Sequence, residues 1–294
     1  MNDTTSAVGP IARFRTLHES GCFVLPNPWD VGTAVYLRHL GFKALATTSA
    51  GFAFSRGLPD TATPLGLPAR GPRPVTAITL DNMLVHISEV VAATSLPVNA
   101  DFQNGYADSP EGVAANVALC VATGVAGLSI EDATGKKTEP LYEADLAVDR
   151  IKAARSAIDA SGIPVVLTGR CEAWLVGQPD PLRMALARLV AYAEAGADCL
   201  YAPGVSAPDE IAAIVKAVSP KPVNMLVSRH NPGFSVSQLA DLGVRRISVG
   251  AALALVAWGA FIRAARSIAE TGSFDTFADA APFDELDGVF SNRG

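Results

Sequence analysis

Three carboxylates, Asp60, Asp101 and Glu131, and one carboxamide, Asn99, stand where short apolar runs give way to polar loops. Converging carboxylates repel one another unless a cation joins them. An all-oxygen set suits a hard ion such as Mg²⁺, which keeps several waters and needs only two or three protein oxygens. Singly, each carboxylate also reads as a helix cap or a lysine partner; together, on successive strand ends, they read as a metal site. Arg170 also follows an apolar run. Its planar fork suits a carboxylate or phosphonate held by two hydrogen bonds, with a structural salt bridge to Glu172 or Glu131 as the alternative. Ser49, Ala50 and Gly51 read as a small-residue turn whose backbone N–H groups can hold an oxyanion. His230, in Ser228-Arg229-His230-Asn231-Pro232, is placed to serve as acid, base or substrate ligand, whereas His18, His39 and His86 fall on helical segments and read as structural.

The elements that must position these residues follow from hydrophobic periodicity. Apolar runs predict strands at 22–26, 44–48, 97–101, 127–131, 164–169, 199–202, 222–226 and 246–250. They are near-continuous rather than alternating, as expected for a parallel sheet covered on both faces. Helical spacing predicts helices at 31–40, 81–94, 110–123, 143–160, 180–195, 207–218, 235–242 and 251–271. Several end in a glycine and then enter the next strand: Gly41, Gly124, Gly162, Gly196 and Gly243. Eight βα units point to a (β/α)₈ TIM-type barrel over a single domain, 1–294, with a doubly wound sheet as the alternative. In a barrel, chemistry sits on the C-terminal strand ends and the loops that follow them, where the carboxylates, Asn99, Arg170, the Ser49–Gly51 turn and His230 fall. The proline-rich segment 61–78 reads as an active-site insertion, either a lid or a surface excursion, and 251–294 as a C-terminal helix and tail.

Composition narrows the function. The chain has 294 residues, 49% hydrophobic and 18% charged, which is too apolar to remain disordered. A net charge of −6 with no Lys/Arg run argues against nucleic acid as partner. No basic segment followed by an apolar core opens the chain, and the apolar stretch 249–262 reads as too short to span a bilayer, so a cytoplasmic protein is expected. Cys22, Cys120, Cys171 and Cys199 lack metal or redox spacing and read as free thiols; Cys171 draws attention because neighbouring Arg170 can lower a thiol pKa. Neither GxGxxG nor GxxxxGK[ST] occurs.

A set of segments in this order resembles the isocitrate lyase / phosphoenolpyruvate mutase superfamily: Leu25-Pro26-Asn27-Pro28-Trp29-Asp30, Thr47-Thr48-Ser49-Ala50-Gly51, Gly57-Leu58-Pro59-Asp60, Asn99-Ala100-Asp101, Ile130-Glu131-Asp132 and Arg170-Cys171-Glu172-Ala173. The resemblance implies a barrel enzyme that binds Mg²⁺, with Mn²⁺ as the alternative, and a small 2-oxo carboxylate. It implies that Asp60, Asn99, Asp101 and Glu131 hold the ion, and that Arg170 binds a carboxylate or phosphonate. Trp29, Thr48, Ser49, Ala50, Gly51, Asn224 and His230 would then complete the substrate site. It also implies a homo-oligomer, dimer or tetramer, with the C-terminal helix exchanged between subunits.

Two departures refine the expectation. Asn99 stands where the family usually has Asp, removing one negative charge from the ion site. The segment Asp132-Ala133-Thr134-Gly135-Lys136-Lys137 replaces a Lys-Arg-Cys-Gly-His loop whose cysteine serves the family's C–C lyases as acid/base. Lys137 takes the place of a gating-loop lysine in the phosphonate-processing branch, or is simply solvated. Decarboxylation needs less machinery, so an oxaloacetate decarboxylase-like C–C lyase with Arg170, Lys137 and Glu131 as catalytic residues is expected first. A phosphonopyruvate-type mutase or hydrolase and a non-catalytic carboxylate binder remain the alternatives.

Overall fold

A computed structural model describes residues 9–60, 78–229 and 234–291; His230 and all but Ile78 of the 61–78 segment lie outside them. Eight short strands form one parallel sheet: β1 (Phe23–Leu25), β2 (Leu45–Ala46), β3 (Val98–Asp101), β4 (Gly127–Glu131), β5 (Val166–Arg170), β6 (Cys199–Tyr201), β7 (Val223–Leu226) and β8 (Arg246–Ser248). Their neighbour order, β1-β8-β7-β6-β5-β4-β3-β2, is that of a (β/α)₈ barrel opened at one seam. A backbone hydrogen bond crosses that seam, from the Ala46 N–H to the Pro26 carbonyl at 3.0 Å. Asn27 reinforces it: its Nδ2 donates to the Thr47 carbonyl, and its Oδ1 accepts from the Val249 and Gly250 N–H groups, each at 2.9 Å.

The helices are α1 (Pro10–Leu17), α2 (Val31–His39), α3 (Ser49–Ser55), α4 (Leu80–Ala92), α5 (Pro110–Ala122), α6 (Ala144–Ala160), α7 (Pro181–Glu194), α8 (Pro208–Val218), α9 (Val236–Asp241), α10 (Ala252–Thr271) and α11 (Phe283–Ser291), with a 3₁₀ turn at Asp275–Asp279. The five glycines read as helix stops all adopt positive φ, from 69° at Gly162 to 104° at Gly196, a conformation that costs other residues a Cβ clash.

Three helices fall outside the expectation. Helix α1 closes the N-terminal end of the barrel, its Phe14 fully buried against Phe23, Leu25, Ala44, Val166 and Cys199. Helix α3 replaces the turn expected at Ser49, Ala50 and Gly51. Helix α11 lies on α2, where the Tyr36 hydroxyl donates to Glu285 Oε1. The reading of 249–262 as too short for a membrane also needs correction. Helix α10 continues to Thr271 and, among the described residues, is the one helix long and apolar enough to cross a bilayer. It packs little against its own barrel and leaves Leu255, Val256 and Phe261 51%, 70% and 60% exposed.

Candidate active site

Strand alternation turns Asp101, Glu131, Arg170 and Tyr201 to the same mouth. In the ladder, Glu131 lies beside Arg170 and Arg170 beside Tyr201, so three adjacent strands present them in a row. The Asp101 backbone N–H donates to Thr47 Oγ1 at 2.9 Å. Its carboxylate Oδ2 accepts from the Ser49 N–H at 2.9 Å and the Ser49 hydroxyl at 2.8 Å. Arg170 Nη1 lies 3.3 Å from both Asp101 Oδ1 and Glu131 Oε2, and Arg170 Nε donates to Glu172 Oε1. The guanidinium carbon sits 5.2 Å from the Tyr201 ring centroid. Both alternatives for Arg170 as a structural salt bridge are therefore realised at once, to Glu131 and to Glu172.

Charge balance at the mouth is acidic. Burial pushes the Glu131 carboxyl well above the usual carboxylate range; Glu172, Asp101 and Asp60 push it the same way and Arg170 opposes them. Burial alone would lower the Arg170 guanidinium, but Glu131, Glu172 and Asp101 outweigh it and hold the group cationic. Among the described residues, no three carboxylate, imidazole or thiol groups converge tightly enough to hold an ion as they stand, since Arg170 fills the space between Asp101 and Glu131. The donors are nonetheless oxygens. Three carboxylates, Asp101, Glu131 and Glu172, face one guanidinium, and Asp60 adds to the negative field at Glu131, an excess of negative charge that fits a hard divalent cation.

The raised Glu131 carboxyl has a consequence for stability. A carboxyl whose folded pKa exceeds its unfolded one favours the folded state at low pH, and that contribution is lost as pH rises through the folded pKa. Glu131→Gln should therefore equal or exceed wild type in urea midpoint at pH 8, with the difference closing towards pH 4. A variant that loses stability relative to wild type as pH rises would contradict this.

The remaining expected residues are placed as follows. Thr48 is the N-cap of α3, its hydroxyl accepting from the Gly51 N–H at 3.2 Å. With the Ser49 N–H committed to Asp101, two of the three N–H groups expected to hold an oxyanion already serve the protein itself. Asn99, two residues before Asp101, turns its Oδ1 into the recess left by Gly127, whose missing Cβ would stand 2.6 Å from that oxygen and from Phe14 Cε1. That recess lies towards the closed end of the barrel, away from Glu131. Asn224 has its Oδ1 bonded by Arg246 Nε and its Nδ2 donating to Ser248 Oγ, both at 2.9 Å. Trp29 lines a separate apolar cavity of about 260 Å³ with Ala254, Trp258 and Phe261. Lys137 is exposed on the loop after β4, and Asp60 is half-buried. Cys171 corrects the expectation of a lowered thiol pKa: burial, then Asp132, pushes it well up.

Sequence reasoning passed over the residues that hold the mouth in place. Asp132 accepts from the Glu172 N–H at 2.8 Å, the Tyr192 hydroxyl at 2.8 Å and Arg188 Nη1 at 3.1 Å, tying the loop after β4 to β5 and α7. Arg150 on α6, 1% exposed, reaches the Asn104, Ala107 and Asp108 carbonyls of the loop after β3, with the Asp108 contact at 2.6 Å, and stacks 3.9 Å over the Tyr142 ring. Its signal was present: a charged residue on the apolar stripe Ala147, Ile151, Ala154 and Ile158.

Below the mouth lies a polar cavity of about 50 Å³, walled by Asn99, Asp101, Ser129, Arg170, Asn224 and Arg246 among others. Comparison with known proteins identifies the family. The phosphoenolpyruvate phosphomutase family model matches residues 14–269. A structure from Burkholderia cenocepacia J2315, assigned provisionally as a lyase/mutase, is 47% identical, with a TM-score of 0.88 and 96% of each chain covered. An uncharacterized protein of Mycobacterium tuberculosis is 31% identical over 258 residues, 87% of this chain and 89% of its own length. The oxaloacetate decarboxylase of Rhodopseudomonas palustris (strain HaA2) is 34% identical over 146 residues, 48% of each chain. By its barrel, its ordered motifs and this match over most of its length, the chain belongs to the isocitrate lyase / phosphoenolpyruvate mutase superfamily of lyases and mutases.

Proposed function

We propose that this chain is a carbon–carbon lyase acting on a small 2-oxo carboxylate, of the oxaloacetate decarboxylase type. The observation that carries the reading is the acidic mouth of Asp101, Glu131 and Arg170 above a small polar cavity. Asp101, Glu131 and Asp60 would hold Mg²⁺, which when bound supplies charge stabilisation to an enolate oxygen. Ser49 fixes the Asp101 carboxylate in place before substrate arrives, and Arg170 keeps Asp101 and Glu131 from separating. In the reaction, the bond to the leaving carboxylate breaks, its electron pair passes towards the carbonyl, and CO₂ and an enolate result. A proton from water then restores the keto acid. Neither Cys nor His occurs between Asp132 and Tyr142, which supports decarboxylation over cleavage that needs a thiol acid there. Lys137, exposed on this loop, would be the cation that it offers to a bound substrate.

Oxalate copies the planar enolate, so calorimetry with oxalate tests the reading. Binding is expected only with Mg²⁺, together with pyruvate release from oxaloacetate and no phosphate release from phosphonopyruvate. Absence of oxalate binding with and without Mg²⁺ would overturn it.

The exposed apolar face of α10 supports the homo-oligomer expected from the family, with α10 exchanged between subunits. Light scattering at micromolar concentration should give a dimer or larger; a monomer would refute it.

A further inference from the structure

Two arginines wall the interior cavity, and their charges are met in opposite ways. Arg170 faces three carboxylates, so an arriving anion gains little attraction from it. Arg246, at the start of β8, is 2% exposed and has only neutral partners. Its Nε donates to Asn224 Oδ1 and its Nη2 to Thr168 Oγ1, both at 2.9 Å, and its Nη1 lies 3.3 Å from His18 Nε2. Among the described residues, no carboxylate forms an ion pair with it. His18 does not supply the charge either. Its Nδ1 sits 2.7 Å from the Phe14 carbonyl, which makes Nδ1–H the donor and leaves Nε2 as a neutral acceptor; burial, then Arg246, lowers its pKa to about 3.

A guanidinium taken out of water without a counter-charge is costly, and buried cations are ordinarily paired. We propose that the interior cavity is an anion subsite with Arg246 as its cation, taking the far carboxylate of a short dicarboxylate whose other end meets the mouth. The volume, about 50 Å³, admits a few waters or one short carboxylate arm and excludes a long chain. The choice of ligand class rests on the 2-oxo acid reading above, but the site itself does not.

The test uses calorimetry on the full-length protein with malonate, its monoamide malonamate, and oxalate with Mg²⁺. Wild type should bind malonate about tenfold or more tightly than malonamate, since a charge-assisted pair is replaced by a neutral one. Arg246→Met should bring that ratio to within about twofold while oxalate binding with Mg²⁺ changes little. Equal affinity of wild type for malonate and malonamate, no malonate binding at all, or a ratio unchanged in Arg246→Met would each overturn the proposal. Should Arg246→Met not fold, the malonate to malonamate ratio in wild type decides alone. Malonate discrimination without any oxalate binding would sink the 2-oxo acid reading and leave the anion subsite standing.

Discussion

Asp101→Asn is expected to lower kcat/KM for the 2-oxo acid substrate by roughly 10²–10³-fold, the cost of removing one fixed group that stabilises developing charge. The substitution keeps an acceptor for Ser49, which in wild type donates at 2.9 and 2.8 Å, but it deletes the negative charge between Ser49 and Arg170. It also turns an N–H group towards another donor, because Arg170 Nη1 faces Oδ1 at 3.3 Å. The loss should therefore appear in turnover rather than in folding, with the melting temperature moved by only a few degrees. Steady-state kinetics beside a thermal scan separate the two effects. Turnover within threefold of wild type would remove Asp101 from the chemistry. No turnover in wild type itself would favour a carboxylate-binding protein without catalysis.

The second large effect falls away from the mouth. Arg150→Ala should destabilise the protein by about 3–5 kcal/mol, near the top of the range for single substitutions, because a fully buried side chain is deleted and the carbonyls it bridges lose their donor. Three backbone carbonyls, of Asn104, Ala107 and Asp108, converge on this one guanidinium, and the Tyr142 ring loses the cation stacked on it. Urea unfolding should show the loss, and the melting temperature should fall by of order 10 °C. Arg150→Lys should recover only part of it, since one ammonium cannot reproduce the fork. A loss below about 1 kcal/mol would mean that water replaces the arginine at these carbonyls without penalty. The loop that Arg150 pins runs from the end of β3 to Ser109, so the same variant should also loosen the approach to Asp101.

Much of the scaffold was legible because its signals are local. A strand covered on both faces reads as a short apolar run, and a helix stop that needs positive φ reads as glycine, so all eight strands and five stops could be placed from residue types. Helix α1 escaped because two turns carrying only Ile11, Phe14 and Leu17 as apolar contacts are too short to show a period. Helix α3 escaped because Ser-Ala-Gly has the composition of a turn, and only the Thr48 cap and the approach of Asp101 make it helical there.

What the sequence by itself determined is the order of βα units, the family that order and its motifs belong to, and the identity of the acidic residues at the strand ends. What only the tertiary structure decided is how their charges are shared. Glu131 and Arg170 are neighbours because β4 and β5 pair in that register, and Glu172 joins them from beyond the strand end. Arg246, equally charged, is left with an amide, a hydroxyl and a neutral imidazole. Coulombic interaction depends on distance and dielectric through space rather than on separation along the chain. Residue types therefore announce that a site is ionic, and packing alone settles which of its charges remain unmatched.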